Sequence, residues 1–234
     1  MLRHYHPELP NDPRTLLQTP RTCVSKSLNR GKYVHLGLER GLLDELRLRP
    51  LTGIPEVCVQ LHIDGMKVFK GSAQCLWPIL ARVNHPDVGQ PFVVGVFCGF
   101  GKPEPLEDFL GNCVCALKDI ITTDLRDPRT ESVIKVDLLN VICDTPARCY
   151  VRQVKAHNGY YGCDSTVAVC VMTGRLGQGT HHKGRSPRDD LPIDRVACFP
   201  IDYMHQVCLG FMRKLLHTWG LGFGWPLCVI KRIY

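Results

Sequence analysis

The 234-residue sequence has no long apolar run; the longest, Phe92 to Phe100, is about half of the roughly 18 residues a membrane helix needs. Its first residues, Met1-Leu-Arg-His-Tyr-His-Pro7, lack the apolar core of an export signal. No segment repeats and none is of low complexity. Despite thirteen cysteines there is no Cys-x-x-Cys pair. These absences predict a chain that is neither secreted nor in partnership with a membrane, and they remove the usual context for a disulfide scaffold. Several cysteines also lie inside apolar runs, such as Val57-Cys58-Val59, Phe97-Cys98-Gly99 and Val141-Ile142-Cys143. They are expected to be buried free thiols acting as small hydrophobes.

What is present is an ordinary globular composition, 44% hydrophobic and 22% charged, enough for one sizeable core. The net charge of +7 is unevenly spread. Residues 1–50 hold nine basic against five acidic side chains, and residues 145–234 hold twelve against five. The stretch 51–144 holds eight against twelve, a net of −4. An acidic middle between basic ends suits a protein that holds cations centrally and touches a polyanion at its periphery. Solvated basic faces give the same pattern without any partner.

Along the chain, prolines 7, 10, 13 and 20 make the first 31 residues read as an irregular arm. Leucines at 38, 42, 43 and 46 predict a short helix closed by Pro50. Val57–Ile63 reads as a strand ending at Asp64-Gly65, a dipeptide that favours a hairpin, with Met66–Phe69 as the returning strand. Residues 92–98 read as a buried strand and Pro105 opens a helix with acids in its first turn. Ser132–Cys143 is a further strand reaching Asp144, followed by a helix over 147–155. Residues 174–190 read as a basic, glycine-rich loop. Asp202 is the expected N-cap of a helix running to Trp219, with Val207, Cys208, Phe211, Met212, Leu215 and Leu216 on one face. The class implied is α/β.

Asp64 and Asp144 each terminate an apolar strand, where a carboxylate is disfavoured unless it meets water or a cation. Paired on adjacent strand ends they would suit Mg²⁺, with positions left for phosphate and water. In the simpler alternative, Asp64 belongs only to a turn and Asp144 only caps a helix.

Several strings occur in an order that resembles animal transposase-domain proteins related to CACTA-like (En/Spm-type) DDE transposases. They are Leu16-Leu-Gln-Thr-Pro-Arg21, His35-Leu-Gly-Leu-Glu-Arg-Gly41, Ile63-Asp-Gly-Met-Lys-Val-Phe-Lys-Gly-Ser72, Trp77-Pro-Ile-Leu80, Pro91-Phe-Val-Val-Gly-Val-Phe-Cys-Gly99 and Ile142-Cys-Asp-Thr-Pro-Ala-Arg148. With them go His157-Asn-Gly-Tyr-Tyr-Gly-Cys163, Phe199-Pro-Ile-Asp-Tyr-Met-His205 and Gly210-Phe-Met-Arg-Lys-Leu-Leu216. The resemblance implies an RNase H-like mixed sheet flanked by helices, which cuts and joins DNA ends with two aspartates, a glutamate and Mg²⁺ or Mn²⁺. It implies a nuclear or intracellular location, transposon-end DNA as partner and an assembly that is open to homo-oligomers. Asp64 and Asp144 match the two aspartates. No glutamate follows Asp144 in this sequence, so the resemblance implies ancestry more readily than activity.

The family pattern continues from Cys163 to a second cysteine where this chain has Thr166. A degenerate zinc site would then draw on Cys163, Cys170, His181, His182 and His205, with free thiol and surface imidazoles as the alternative. Arg148, Arg152, Lys155, His157, Lys183, Arg185 and Arg188 are candidate phosphate contacts. Trp77 is expected in the core rather than as a base-stacking platform. The expected organisation is an arm with a short helix over 1–55, an RNase H-like core over 56–156, a loop-rich insertion over 157–200 and a truncated C-terminal helix over 201–234.

Overall fold

The structure, a computed structural model, describes residues 6–7, 10, 12, 15, 24–48, 56–127, 131–155, 186–187, 191, 198–200 and 202–222. Its centre is a mixed sheet of eight strands. In chain order these are β1 (Lys26–Leu28), β2 (Gly31–His35), β3 (Glu56–Ile63), β4 (Met66–Lys67), β5 (Gln74–His85), β6 (Phe92–Phe100), β7 (Leu125–Arg126) and β8 (Val133–Ile142). Helix α1 (Leu38–Arg47) follows β2, α2 (Leu106–Thr123) follows β6, and α3 (Thr145–Val151) follows β8. A wide-turned π-helix, α4 (Tyr203–Met212), runs into the α-helical α5 (Arg213–Gly222).

Across the sheet the order is β1-β2-β6-β5-β3-β8-β7, with β4 attached to β5. Strands β3, β5 and β6 form an antiparallel meander, and β8 returns after α2 to lie parallel to β3. A parallel partner cannot be reached by a tight turn, and α2 supplies the crossover.

Side-chain alternation explains why one face of the sheet is covered. Val57, Val59, Leu61 and Ile63 of β3 are buried, as are Trp77, Ile79, Ala81 and Val83 of β5, while the residues between them are half-buried. The buried face joins the apolar stripes of two helices. In α1 the stripe is Leu38, Leu42 and Leu46, spaced by four, and in α2 it is Leu106, Phe109, Leu110, Cys113, Leu117 and Ile120. Tyr33 of β2 meets the Phe109 ring edge-on at 5.6 Å. Trp77 lies in this core; its Nε1 donates to the Gly101 carbonyl at 3.1 Å and its ring meets Tyr150 edge-on.

Three expectations need correction. Residues 26–35 are not part of an irregular arm but form β1 and β2, which extend the sheet beyond β6. Asp64-Gly65 does not turn the chain. Ile63 pairs with Ile79, Met66 with Leu76 and Lys67 with Cys75, so β4 continues β3 in one register along β5. The turn comes later, where Ser72 N–H donates to the Phe69 carbonyl at 3.0 Å and Gly71 takes φ +86°. Continuing the register puts Pro78 opposite Asp64, and Pro78 has no N–H to give a ladder. Gly65 is needed because a Cβ there would lie 2.4 Å from the Trp77 ring. Finally, Cys98 is exposed rather than buried, because it alternates with buried Phe97 onto the opposite face of β6.

Candidate functional site

The two aspartates come together through the one parallel pairing that the long strands make. His62 of β3 is registered with Ile142 of β8, and Asp64 and Asp144 each follow two residues later. Neighbouring strands run about 4.8 Å apart, so this equivalence puts the two carboxylates side by side. The residues just before them, Ile63 and Cys143, are buried, and the Cys143 sulfur is hydrogen-bonded by the Ile63 backbone. Alternation then turns both aspartates onto the face opposite the helix-covered core.

Each carboxylate also has a local partner. Asp64 Oδ1 accepts from the Gly65 N–H at 2.7 Å at the break between β3 and β4. Asp144 Oδ1 accepts from the Ala147 N–H at 2.7 Å and caps α3, as its position before Thr145-Pro146 predicts. Capping engages one of its oxygens, Oδ1. Burial pushes the Asp64 carboxyl above its ordinary range, and the charge of Asp144 pushes it further; the Gly65 N–H, His62 and His205 oppose both. Two half-buried carboxylates that repel each other form the field that a cation relieves.

His205 enters from α4, and its place in this site was not foreseen. Asp202 is buried at 8% exposure, accepts from the Met204 N–H at 3.0 Å and is hydrogen-bonded to His205 Nδ1. That bond, with the charges of Asp202, Asp64 and Asp144, raises the imidazole above its ordinary value against the opposing effect of burial. Burial alone would raise Asp202, but the His205 and Met204 hydrogen bonds hold it below the usual carboxylate range. The capped helix start was legible in Asp202-x-x-His205; its approach to two strand ends some sixty and more residues away in sequence was not. The helix opens in π turns, a form that recurs at functional sites.

Below the acid pair, the same face carries a polar row. Arg82 Nη2 donates to Gln60 Oε1 at 2.7 Å, and Gln60 Nε2 donates to Asn140 Oδ1 at 2.8 Å. His62 Nδ1 beside this row is buried without a hydrogen-bond partner among the described residues.

The candidate phosphate contacts separate. Arg148 and Arg152 are only 4% and 7% exposed, and the Arg152 guanidinium lies 5.8 Å from the Phe199 ring. In that setting they hold α3 against its surroundings and offer little surface to a phosphate. Lys155 is half-buried. His157, Lys183, Arg185 and Arg188, like the zinc candidates Cys163, Cys170, His181 and His182, lie outside the described residues. Among the described residues, no group of three or more His, Cys, Asp or Glu side chains is arranged to hold a metal ion. The donor set at Asp64 and Asp144 still fits Mg²⁺ or Mn²⁺, ions commonly held by one or two carboxylates with the remaining positions taken by water and phosphate.

No protein-family model matches the chain, and no curated protein matches it.

Proposed function

We propose that this chain is a transposase-derived protein with an RNase H-like core, in which Asp64 and Asp144 hold Mg²⁺ or Mn²⁺ against the phosphate backbone of DNA. The observation that carries this reading is the paired register of β3 and β8, which brings two carboxylates from separate strands to one sheet end. The mixed sheet with helices on one face and the ordered series of family-like strings support it. When bound, the cation would stabilise charge on the scissile phosphate and activate a water or a 3′-hydroxyl.

The protein's own residues have distinct parts in this. Asp64 supplies a carboxylate whose raised proton affinity reflects its burial first and a neighbour of like charge second. Asp144 shares one oxygen with the α3 N-terminus and would offer the other to the cation. His205, oriented by Asp202, sets an imidazole of raised proton affinity near the pair and suits a contact to a phosphate oxygen.

A second reading, a non-catalytic DNA-binding or interaction protein descended from such an enzyme, is favoured by a different observation. No glutamate follows Asp144, and no third ligand joins the pair among the described residues. Two carboxylates without a third hold a metal pair weakly, while DNA contact does not depend on them.

Mn²⁺ binding followed by electron paramagnetic resonance tests the site itself. Asp64→Asn and Asp144→Asn are each expected to weaken Mn²⁺ binding at least about tenfold, since even outer-shell changes at metal sites cost that much. Unchanged affinity in both variants removes the metal reading. Nicking of supercoiled plasmid in Mg²⁺ that vanishes in Asp64→Asn identifies a surviving nuclease. Metal binding without nicking identifies the non-catalytic descendant.

A further inference from the structure

Beyond Asp64 the β3 line continues through β4 to a turn, and this tip has an unusual surface. Met66, Val68 and Phe69 are exposed, Phe69 at 64%. Directly opposed residues share a face, and the pairing Met66–Leu76–Cys98–Lys32 runs across four strands. The next row holds Val68, whose N–H donates to the Gln74 carbonyl, and Gln74 is paired with Phe100, itself 47% exposed. Asp64, Met66 and Val68 alternate onto one side of the chain, so the apolar patch adjoins the acid pair.

The tip is also held in shape. Ser72 is buried, its N–H donates to Phe69, and its Oγ accepts from the Gln74 N–H at 2.9 Å. An exposed phenylalanine on a pinned turn has little conformational freedom to lose on binding.

Charge decides what this surface suits. Residues 51–144 are acidic as a whole, yet from Gly65 to Pro86 there is no acidic residue, and Lys67, Lys70 and Arg82 lie in that span. Lys67, Lys70 and Lys32 are exposed and make no ion pair among the described residues. Exposed aromatic rings set among lysines are the pattern of proteins that stack bases and meet phosphates along a single strand.

We propose that this tip is a binding surface for the unpaired end of a DNA strand, with bases stacking on Phe69 and Phe100 and phosphates meeting Lys70 and Lys32. It rests on the reading of Asp64 and Asp144 as a DNA-phosphate site and names the part of the substrate that lies beyond it. Four residues separate Asp64 from Val68, about 13 Å of strand, which matches about four stacked nucleotides at roughly 3.4 Å each.

The test uses the full chain and fluorescence anisotropy on two labelled DNAs, a blunt duplex and the same duplex with a four-nucleotide single-stranded tail. Phe69→Ala and Phe100→Ala are expected to weaken binding of the tailed duplex about tenfold each, and of the blunt duplex less than about twofold. Phe69→Trp is expected to restore tailed binding. Lys32→Gln with Lys70→Gln weakens the tailed duplex and reduces the steepness of its salt dependence by about 1.5. Equal loss on both DNAs, or none on the tailed one, overturns the proposal. So does a shift from dimer to monomer in sedimentation of Phe69→Ala, which would make the tip a contact between copies. Selective loss of tailed binding in a protein that takes up no Mn²⁺ leaves this surface standing while the metal reading falls. A wild-type chain that binds neither DNA removes both.

Discussion

Cys113 and Cys115 sit two residues apart on α2 and meet opposite surroundings. Cys113 is buried against the sheet, and burial pushes its thiol up to about 12; Cys115 is exposed. Iodoacetamide at pH 8 is therefore expected to label Cys98, Cys115 and Cys208 in the folded chain. It should leave Cys113 and Cys143 untouched until denaturant is added, as read by mass spectrometry of the alkylated peptides. Rapid labelling of Cys113 in the native state would contradict its burial. The thiols also mark what single residues disclose. An apolar neighbourhood in sequence identified Cys143 as interior but misplaced Cys98, because the neighbours of a strand residue lie on the other face. Asp64 and Asp144 were legible because a charge at the end of an apolar strand needs a reason. His205 was not, since nothing local to α4 records which strand ends it approaches.

At the scale of elements, helix period served for α1 and α2 but not for α4, which winds in π turns and leaves Cys208 and Met212 of the expected apolar face exposed. The leucine spacing of α1 and the apolar side of α2 translate directly into buried stripes. Strands that carry breakers were harder. β5 spans Gln74–His85, but Pro78 within it argues locally against a ladder, and its pairing to β3 and β6 is a tertiary fact. β2 begins with glycine for a packing reason: Gly31 is registered with Gly99, and a Cβ on Gly31 would come within 2.5 Å of the Cys98 carbonyl oxygen. Gly31→Ala is accordingly expected to destabilise the fold by about 1–3 kcal/mol, the usual range for overpacking. Hydrogen exchange should show the loss of protection concentrated in residues 26–35. An unchanged melting temperature with intact protection there would mean that β1 and β2 do not approach β6 this closely.

For the molecule as a whole, the charge division predicted from sequence acquires a location. The acidic stretch contains both aspartates of the sheet end, and the lysines of the β4 tip interrupt it. Binding to duplex DNA is expected to weaken linearly with salt on logarithmic axes, with a slope of about −0.9 for each phosphate neutralised. A flat dependence in a salt-titrated anisotropy measurement counts against any nucleic-acid role. Helix-on-sheet architecture could be inferred from alternating apolar patterns, whereas the family-like strings conveyed expectations about chemistry that spacing alone left undecided.

The uninterrupted numbering of partners on either side of Asp64-Gly65 sets a rule for how this chain can vary. Removing or adding one residue between Ile63 and Met66 would reverse the orientation of every side chain on one flank relative to the other. Either the aspartate would swing inward among the aliphatic residues, or the lysine-bearing tip would lose its alignment with β5. The interval of two is therefore a dimension of the protein.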